Sequence, residues 1–254
     1  MLPAGCFVDR RSVESYLHPM PIRSTLDGPA VASVAGLIGD PSRAAMLTAL
    51  LGGVARPAGE LARRAGISPQ TASVHLARLV EGGLVRVTTS GRHRYFVLAG
   101  PAVARALESL ALIAPAAEPE SAGAGFELRR LQRARTCYDH LAGSLGVAVT
   151  ESLVERGCLD AHGEAYEVTA DGDAWLRRLG VVPEDLRHGR RAFARACLDW
   201  SERRPHLAGA LGAALTARLF ELGWITRLDG TRAVEPTPPG RRALRSELGI
   251  RIDR

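Results

Sequence analysis

"GELARRAGISPQTASVHLARLVEGGLV", residues 59–85, decides how the first half of this chain folds. Leu61, Ala62 and Ala65 recur at helical spacing, so a short helix turns one apolar face inward. Gly66 supplies a tight turn, and Ser68 before Pro69 pairs a capping hydroxyl with a residue preorganised for the first helical turn. The second helix, 68–81, packs through Ala72, Leu76, Leu79 and Val80. Its other side then offers Ser68, Gln70, Thr71, Ser73, His75 and Arg78, groups suited to phosphates and base edges in a major groove of double-stranded DNA.

Working outward, "DPSRAAMLTALLGG" from Asp40 reads as a capped helix with Pro41 in its first turn and a glycine stop. Downstream, "LVRVTTSGRHRYFVL" alternates apolar and polar residues around Ser90-Gly91. That is a β-hairpin whose tip carries Arg92, His93 and Arg94. Helix, turn, helix and basic hairpin make a winged helix-turn-helix. A bundle that binds nothing would need neither the outward polar set nor the basic wing.

The chain has 254 residues and an apolar fraction of 46%, enough for two ordinary domains with real cores. Its 33 basic residues, all Arg, against 27 acidic ones leave +6, which permits an anionic partner without requiring one. No apolar run reaches the roughly 18 residues of a membrane span, and the N-terminus lacks the basic-then-apolar order of a signal peptide. The cytoplasm is expected, with Cys6, Cys137, Cys158 and Cys197 reduced. Residues 1–28 read as a loosely ordered arm, within which Met20 is a second candidate start. The winged helix is expected over 29–114, a linker rich in Pro, Gly and Ala over 115–125, and a second domain over 126–254. The fold class is mainly α with small β-hairpin wings, an α+β arrangement.

Residues 31–114 resemble the ArsR/SmtB family of bacterial transcriptional repressors, through "LIGDPSRAAMLTAL", "GELARRAGISPQTASVHLARLVEGGLV" and "GRHRYFVL". The resemblance implies a homodimer whose recognition helices enter successive major grooves while the wings touch flanking backbone. It also implies a dimer interface built from the helices at about 31–38 and 101–113. Members of the family often sense through thiols on the helix before the recognition helix, or through Asp and His on the last helix. Here "AGELARRA" has no thiol and "PAVARALESLALIA" has neither His nor Asp, so those sites do not transfer.

The second half repeats itself. "HLAGSLGVAVTESLVERGCL" from His140 aligns with "HLAGALGAALTARLFELGWI" from His206, and each unit continues as strand, turn, strand and helix. That order is again winged-helix-like. Its hairpins mix Asp and Glu with Arg, so an effector-binding or dimer-reinforcing role is expected rather than DNA binding.

Ahead of each repeat stand "RTCYDHLAG" (135–143) and "RACLDWSERRPHLAG" (195–209). If the first is helical, Cys137 and His140 are neighbours on one face and suit two ligands of a zinc-like or softer metal ion. Cys197 and His206 would complete the set, with Asp139 and Asp199 as alternates or outer partners. A second reading makes Cys137 and Cys197 an oxidisable dithiol. A third makes Tyr138 and Trp200 walls of a small-molecule pocket. The plain alternative needs no cofactor: buried thiols inherited by both repeats, with Arg135–Asp139 and Arg195–Asp199 as local ion pairs. No nucleophile elbow, phosphate loop or metalloprotease signature is present, so an enzyme is not expected. The expected function is a sequence-specific DNA-binding repressor, homodimeric on an inverted repeat and answering a metal, redox or small-molecule effector. The alternative is an architectural DNA-binding protein with no effector.

Overall fold

The computed structural model describes residues 30–115, 121–189 and 191–252. The expected N-terminal arm lies outside them. The first half runs α1 (Val31–Ile38), α2 (Pro41–Leu50), β1 (Arg56–Pro57), α3 (Ala58–Arg64), α4 (Pro69–Glu81), β2 (Val85–Ser90), β3 (His93–Leu98) and α5 (Pro101–Ile113). Local chemistry sets the boundaries. Asp40 caps α2 by accepting from the Arg43 amide at 2.9 Å, and Ser68 caps α4 by accepting from the Thr71 amide at 3.1 Å. Met46, Leu47, Leu50, Leu61, Ala72, Leu76, Leu79, Phe96 and Leu98 close the core under the wing. Val80, expected inside, is exposed, because the buried face of α4 runs through Ala72, Leu76 and Leu79 and position 80 falls beside that row. The wing gains a third strand that the sequence did not announce, since β1 pairs with β3 through Arg56 and Phe96.

The second half begins earlier than expected. Ser121 accepts from the Ala124 amide, and α6 spans Ala122–Arg133, crossing what was read as linker. Then follow β4 (Arg135–Cys137), β5 (His140–Ala142), α7 (Gly143–Glu155), β6 (Leu159–His162), β7 (Ala165–Val168), α8 (Ala170–Arg178) and α9 (Pro183–Arg187). The second repeat supplies β8 (Arg195–Leu198), β9 (Pro205–Ala208), α10 (Gly209–Glu221), β10 (Ile225–Arg227), β11 (Val234–Pro236) and α11 (Pro238–Leu248). Each unit is therefore hairpin, helix, hairpin, helix. Leu145, Val149 and Leu153 of α7 share one core with Leu211, Leu215 and Leu219 of α10.

The two units clasp each other reciprocally. The Thr216 hydroxyl accepts from the Leu141 amide at 2.9 Å, and the Thr150 hydroxyl accepts from the Leu207 amide at 2.8 Å. Each hydroxyl in turn donates to a carbonyl one helical turn back, Gly212 and Gly146 respectively. Those glycines are required by close approach, because a Cβ would stand 2.5 Å from the Leu141 oxygen at Gly146 and 2.4 Å from the Leu207 oxygen at Gly212. Strands cross over in the same sense: Arg195 pairs with Ala165 of the first wing-like hairpin, and Arg135 bridges Ala233 beside the second. Substituting Thr150→Val keeps the shape and strands a buried amide, so we expect a loss of about 1–3 kcal/mol. Urea midpoints of the Thr150→Val and Thr216→Val chains check this; both unchanged would show that the clasp carries no stability.

Candidate DNA-reading surface and cysteine–histidine cluster

On α4, Gln70, Thr71, Ser73 and Arg78 are exposed, as is Ser68 at the cap, while Ala72, Leu76 and Leu79 are buried. The Ser73 hydroxyl donates to the Pro69 carbonyl at 2.9 Å. His75 differs from its neighbours: it is half-buried, with Nδ1 3.3 Å from an Arg43 guanidinium nitrogen. Arg43 also donates to the Leu37 and Gly36 carbonyls, so it ties His75 to the end of α1. At the wing, Arg92, His93 and Arg94 are all exposed around the Gly91 turn.

The expected helix through Cys137 and His140 does not exist. These residues face each other across the β4–β5 hairpin, and Cys197 faces His206 across β8–β9. Six more residues separate the second pair than the first (206 − 197 = 9 against 140 − 137 = 3), yet the two pairs are equivalent. The extra residues lie in the hairpin loop and leave the cross-strand register alone. A cross-strand pair brings two side chains to one place as directly as helical spacing does. The clasp between the units then brings the pairs together.

One ligand-capable atom from each of Cys137, His140, Cys197 and His206 lies within 4.8 Å of the other three. Cys137, His140 and His206 are buried and Cys197 is half-buried. The imidazoles stack with centroids 5.1 Å apart. His140 Nδ1 lies 3.3 Å from Asp139 Oδ1, and its Nε2 is buried without a partner. His206 Nδ1 lies 3.4 Å from Asp199 Oδ2 without an aligned hydrogen bond, and its Nε2 is also unpartnered. Asp139 and Asp199 thus stand beside the two imidazoles.

Their own charges are balanced elsewhere. Asp139 pairs with Arg191, not Arg135. Asp199 pairs at 2.9 Å with Arg135, not Arg195, and both side chains are fully buried. The local i, i+4 pairs fail because these stretches are strands and loops, where residues four apart are not neighbours. Burial would raise both carboxyls, but Arg191 and His140 hold Asp139 well below the usual range. Arg135, Ser201 and the Gly143 amide do the same for Asp199. Between the thiols, a hydrogen bond from Cys137 holds Cys197 well below the usual thiol range, helped by His140 and His206. The same bond, with burial, pushes Cys137 well above it.

Trp200 is not among the residues that line the cavity beside Tyr138. Tyr138 lines a cavity of about 520 Å³ with Cys137, His140, Arg191 and the α5 residues Ala104 and Arg105. Trp200 instead lies under the Arg135 guanidinium, 4.4 Å from its ring centroid. Sequence reasoning missed Arg191, whose only signal was an Arg run 52 residues from Asp139.

Residues 38–88 match a family model described as a helix-turn-helix domain. The chain is 47% identical over 224 residues to the uncharacterized HTH-type transcriptional regulator YdfF of Bacillus subtilis, covering 88% of this chain and 99% of that one. The chain is an ArsR/SmtB-family winged helix-turn-helix transcriptional regulator. A match of that length takes in both halves of this ArsR/SmtB-family regulator. The HTH-type transcriptional regulator CmtR of Mycobacterium tuberculosis is 37% identical over 91 residues, 36% of this chain and 76% of that one. The NMR structure of the cadmium metal-sensor CmtR of that organism aligns over 35% of this chain and 93% of its own at a TM-score of 0.30, with 37% identity. The four clustered Cys and His residues lie outside the matched helix-turn-helix segment. No helix among the described residues is long and apolar enough to cross a membrane.

Proposed function

We propose that this regulator is a homodimeric repressor that reads an inverted-repeat operator through α4 and the β2–β3 wing, with its second half as the effector-responsive region. The carrying observation is the split of α4 into a buried apolar row and an exposed polar row beginning at a capped N-terminus. Such an N-terminus favours phosphate, and short side chains beside it can reach base edges. The exposed Arg92 and Arg94 supply backbone contacts that carry no sequence information. Dimerisation is supported by apolar residues left in solvent on α1 and α5, among them Val31 at 70% and Ile113 at 81% exposure. Two such protomers related by a dyad would space their half-sites about 34 Å apart, or a multiple of it.

Fluorescence anisotropy on labelled duplexes tests the assignment. Arg92→Ala with Arg94→Ala should weaken operator and random DNA alike, whereas Gln70→Ala should change which sequence is preferred by about 1–3 kcal/mol. A wing variant that binds as tightly as the parent chain would remove the wing from the interface. A monomer in sedimentation that still holds a palindrome tightly would remove the dimer.

A further inference from the structure

The duplicated half gathers two thiols and two imidazoles at one point, and among the described residues no protein group satisfies the Nε2 atom of either histidine. We propose that Cys137, His140, Cys197 and His206 bind one zinc-class divalent ion, and that its binding is passed to the DNA-reading half through the β4–β5 hairpin. The second clause rests on the operator-binding reading above; the first stands without it.

The donor set selects the metal. Two sulfurs and two imidazole nitrogens, all from protein, suit a tetrahedral borderline-soft ion and leave no open position for catalysis. Hard ions such as magnesium or calcium want oxygen donors. Atoms mutually within 4.8 Å all lie within about 3 Å of some common point, so closing to bonds of about 2.0–2.3 Å needs shifts of about 1 Å. Asp139 beside His140 Nδ1 favours the tautomer whose Nε2 is the ligand, and Asp199 is placed to do the same for His206. Charge closes as well. Two thiolates neutralise a divalent ion, and the outer carboxylates are already matched by Arg191 and Arg135. A neutral assembly is what a buried site tolerates. The cavity of about 520 Å³ lined by Cys137 and His140 provides a way in.

The hairpin is also fastened to the other half. Tyr138 sits between the first two ligands at φ 62°, an uncommon backbone state for a bulky residue. Its amide donates to the Leu51 carbonyl at the end of α2 at 2.9 Å, and its side chain packs against the first-half core. Two residues away, the Thr136 amide donates to the Arg232 carbonyl at 2.9 Å, and the Arg232 guanidinium forms a buried ion pair with Glu108 of α5. Drawing Cys137 and His140 onto an ion therefore pulls on the end of α2 and on the helix expected at the dimer interface.

The test uses the full-length reduced chain with cobalt(II) chloride as a spectroscopic probe and zinc chloride as competitor. One equivalent of cobalt per chain should give intense tetrahedral d–d bands and a thiolate charge-transfer band, and one equivalent of zinc should erase both. In the Cys137→Ser with Cys197→Ser chain the charge-transfer band should vanish. X-ray absorption of the zinc-loaded parent chain, which needs no variant to fold, should show sulfur near 2.3 Å and nitrogen near 2.1 Å. A parent chain without a charge-transfer band, or with only oxygen and nitrogen around zinc, would overturn the site. For the coupling, zinc should change operator affinity of the parent chain by roughly 5–150-fold and leave the double serine chain unmoved. Zinc bound through sulfur with operator affinity the same within twofold would overturn the coupling. Loss of DNA binding with and without zinc, alongside intact cobalt spectra, would instead refute the operator reading.

Discussion

Asp199→Ala should lower the stability of this protein by about 3–5 kcal/mol, because it leaves the Arg135 guanidinium as an uncompensated buried charge. Both side chains have zero solvent exposure. Asp199 also accepts from the Gly143 amide at 2.7 Å, the Ser201 amide at 2.9 Å and the Ser201 hydroxyl at 2.7 Å. One carboxylate thus starts α7, orders the long β8–β9 loop and balances a charge from the other unit. Replacing the pair together, Arg135→Met with Asp199→Leu, should recover only some of the loss, since those amides stay unpaired. Urea denaturation of the single and double variants checks both statements; a single variant within about 0.5 kcal/mol of the parent would contradict the first. The pH dependence has a definite sign. The folded carboxyl lies below its unfolded value of about 3.9, so its contribution is full above about pH 4 and falls away as pH drops further.

The other large effect concerns salt. Arg78, Arg92 and Arg94 are exposed on the proposed interface, which makes six arginines in a dimer. Neutralising six phosphates gives a slope of about −5 in log affinity against log salt, or about a thousandfold loss between 50 and 200 mM. Removing Arg92 and Arg94 takes four of the six, and the slope should flatten to about −2. Anisotropy titrations at four or five salt concentrations measure it. A parent slope already near −2 would mean that the arginines are not on phosphates.

The winged helix was legible because its boundaries are written locally. Asp40-Pro41 and Ser68-Pro69 mark helix starts, Gly91 marks the wing, and apolar spacing marks the faces. The duplication was legible too, from the aligned segments at His140 and His206. The hairpins carrying the cluster were not. Strands of three residues are too short for alternation to show, and the Tyr138-Asp139 turn has no Gly or Asn to announce it. With Arg and Asp four apart, a helix was the natural local reading, and tertiary packing overrode it. Cys137, His140, Cys197 and His206 nevertheless stood out together, because residue type and repetition survive an error in secondary structure. Their outer partners were legible only as residues: Arg135 finds Asp199 from 64 positions away, and no local pattern encodes that.

The reciprocal clasp has one more consequence. Each unit contributes one thiol and one imidazole, so neither unit owns a complete cluster. In separate chains the same four groups would meet only across a twofold axis, at a rate and occupancy set by protein concentration. Joining the units end to end makes that encounter intramolecular, with an effective concentration fixed by the tether. Dilution can pull a pair of protomers off DNA and away from each other, but it cannot separate the halves of this cluster.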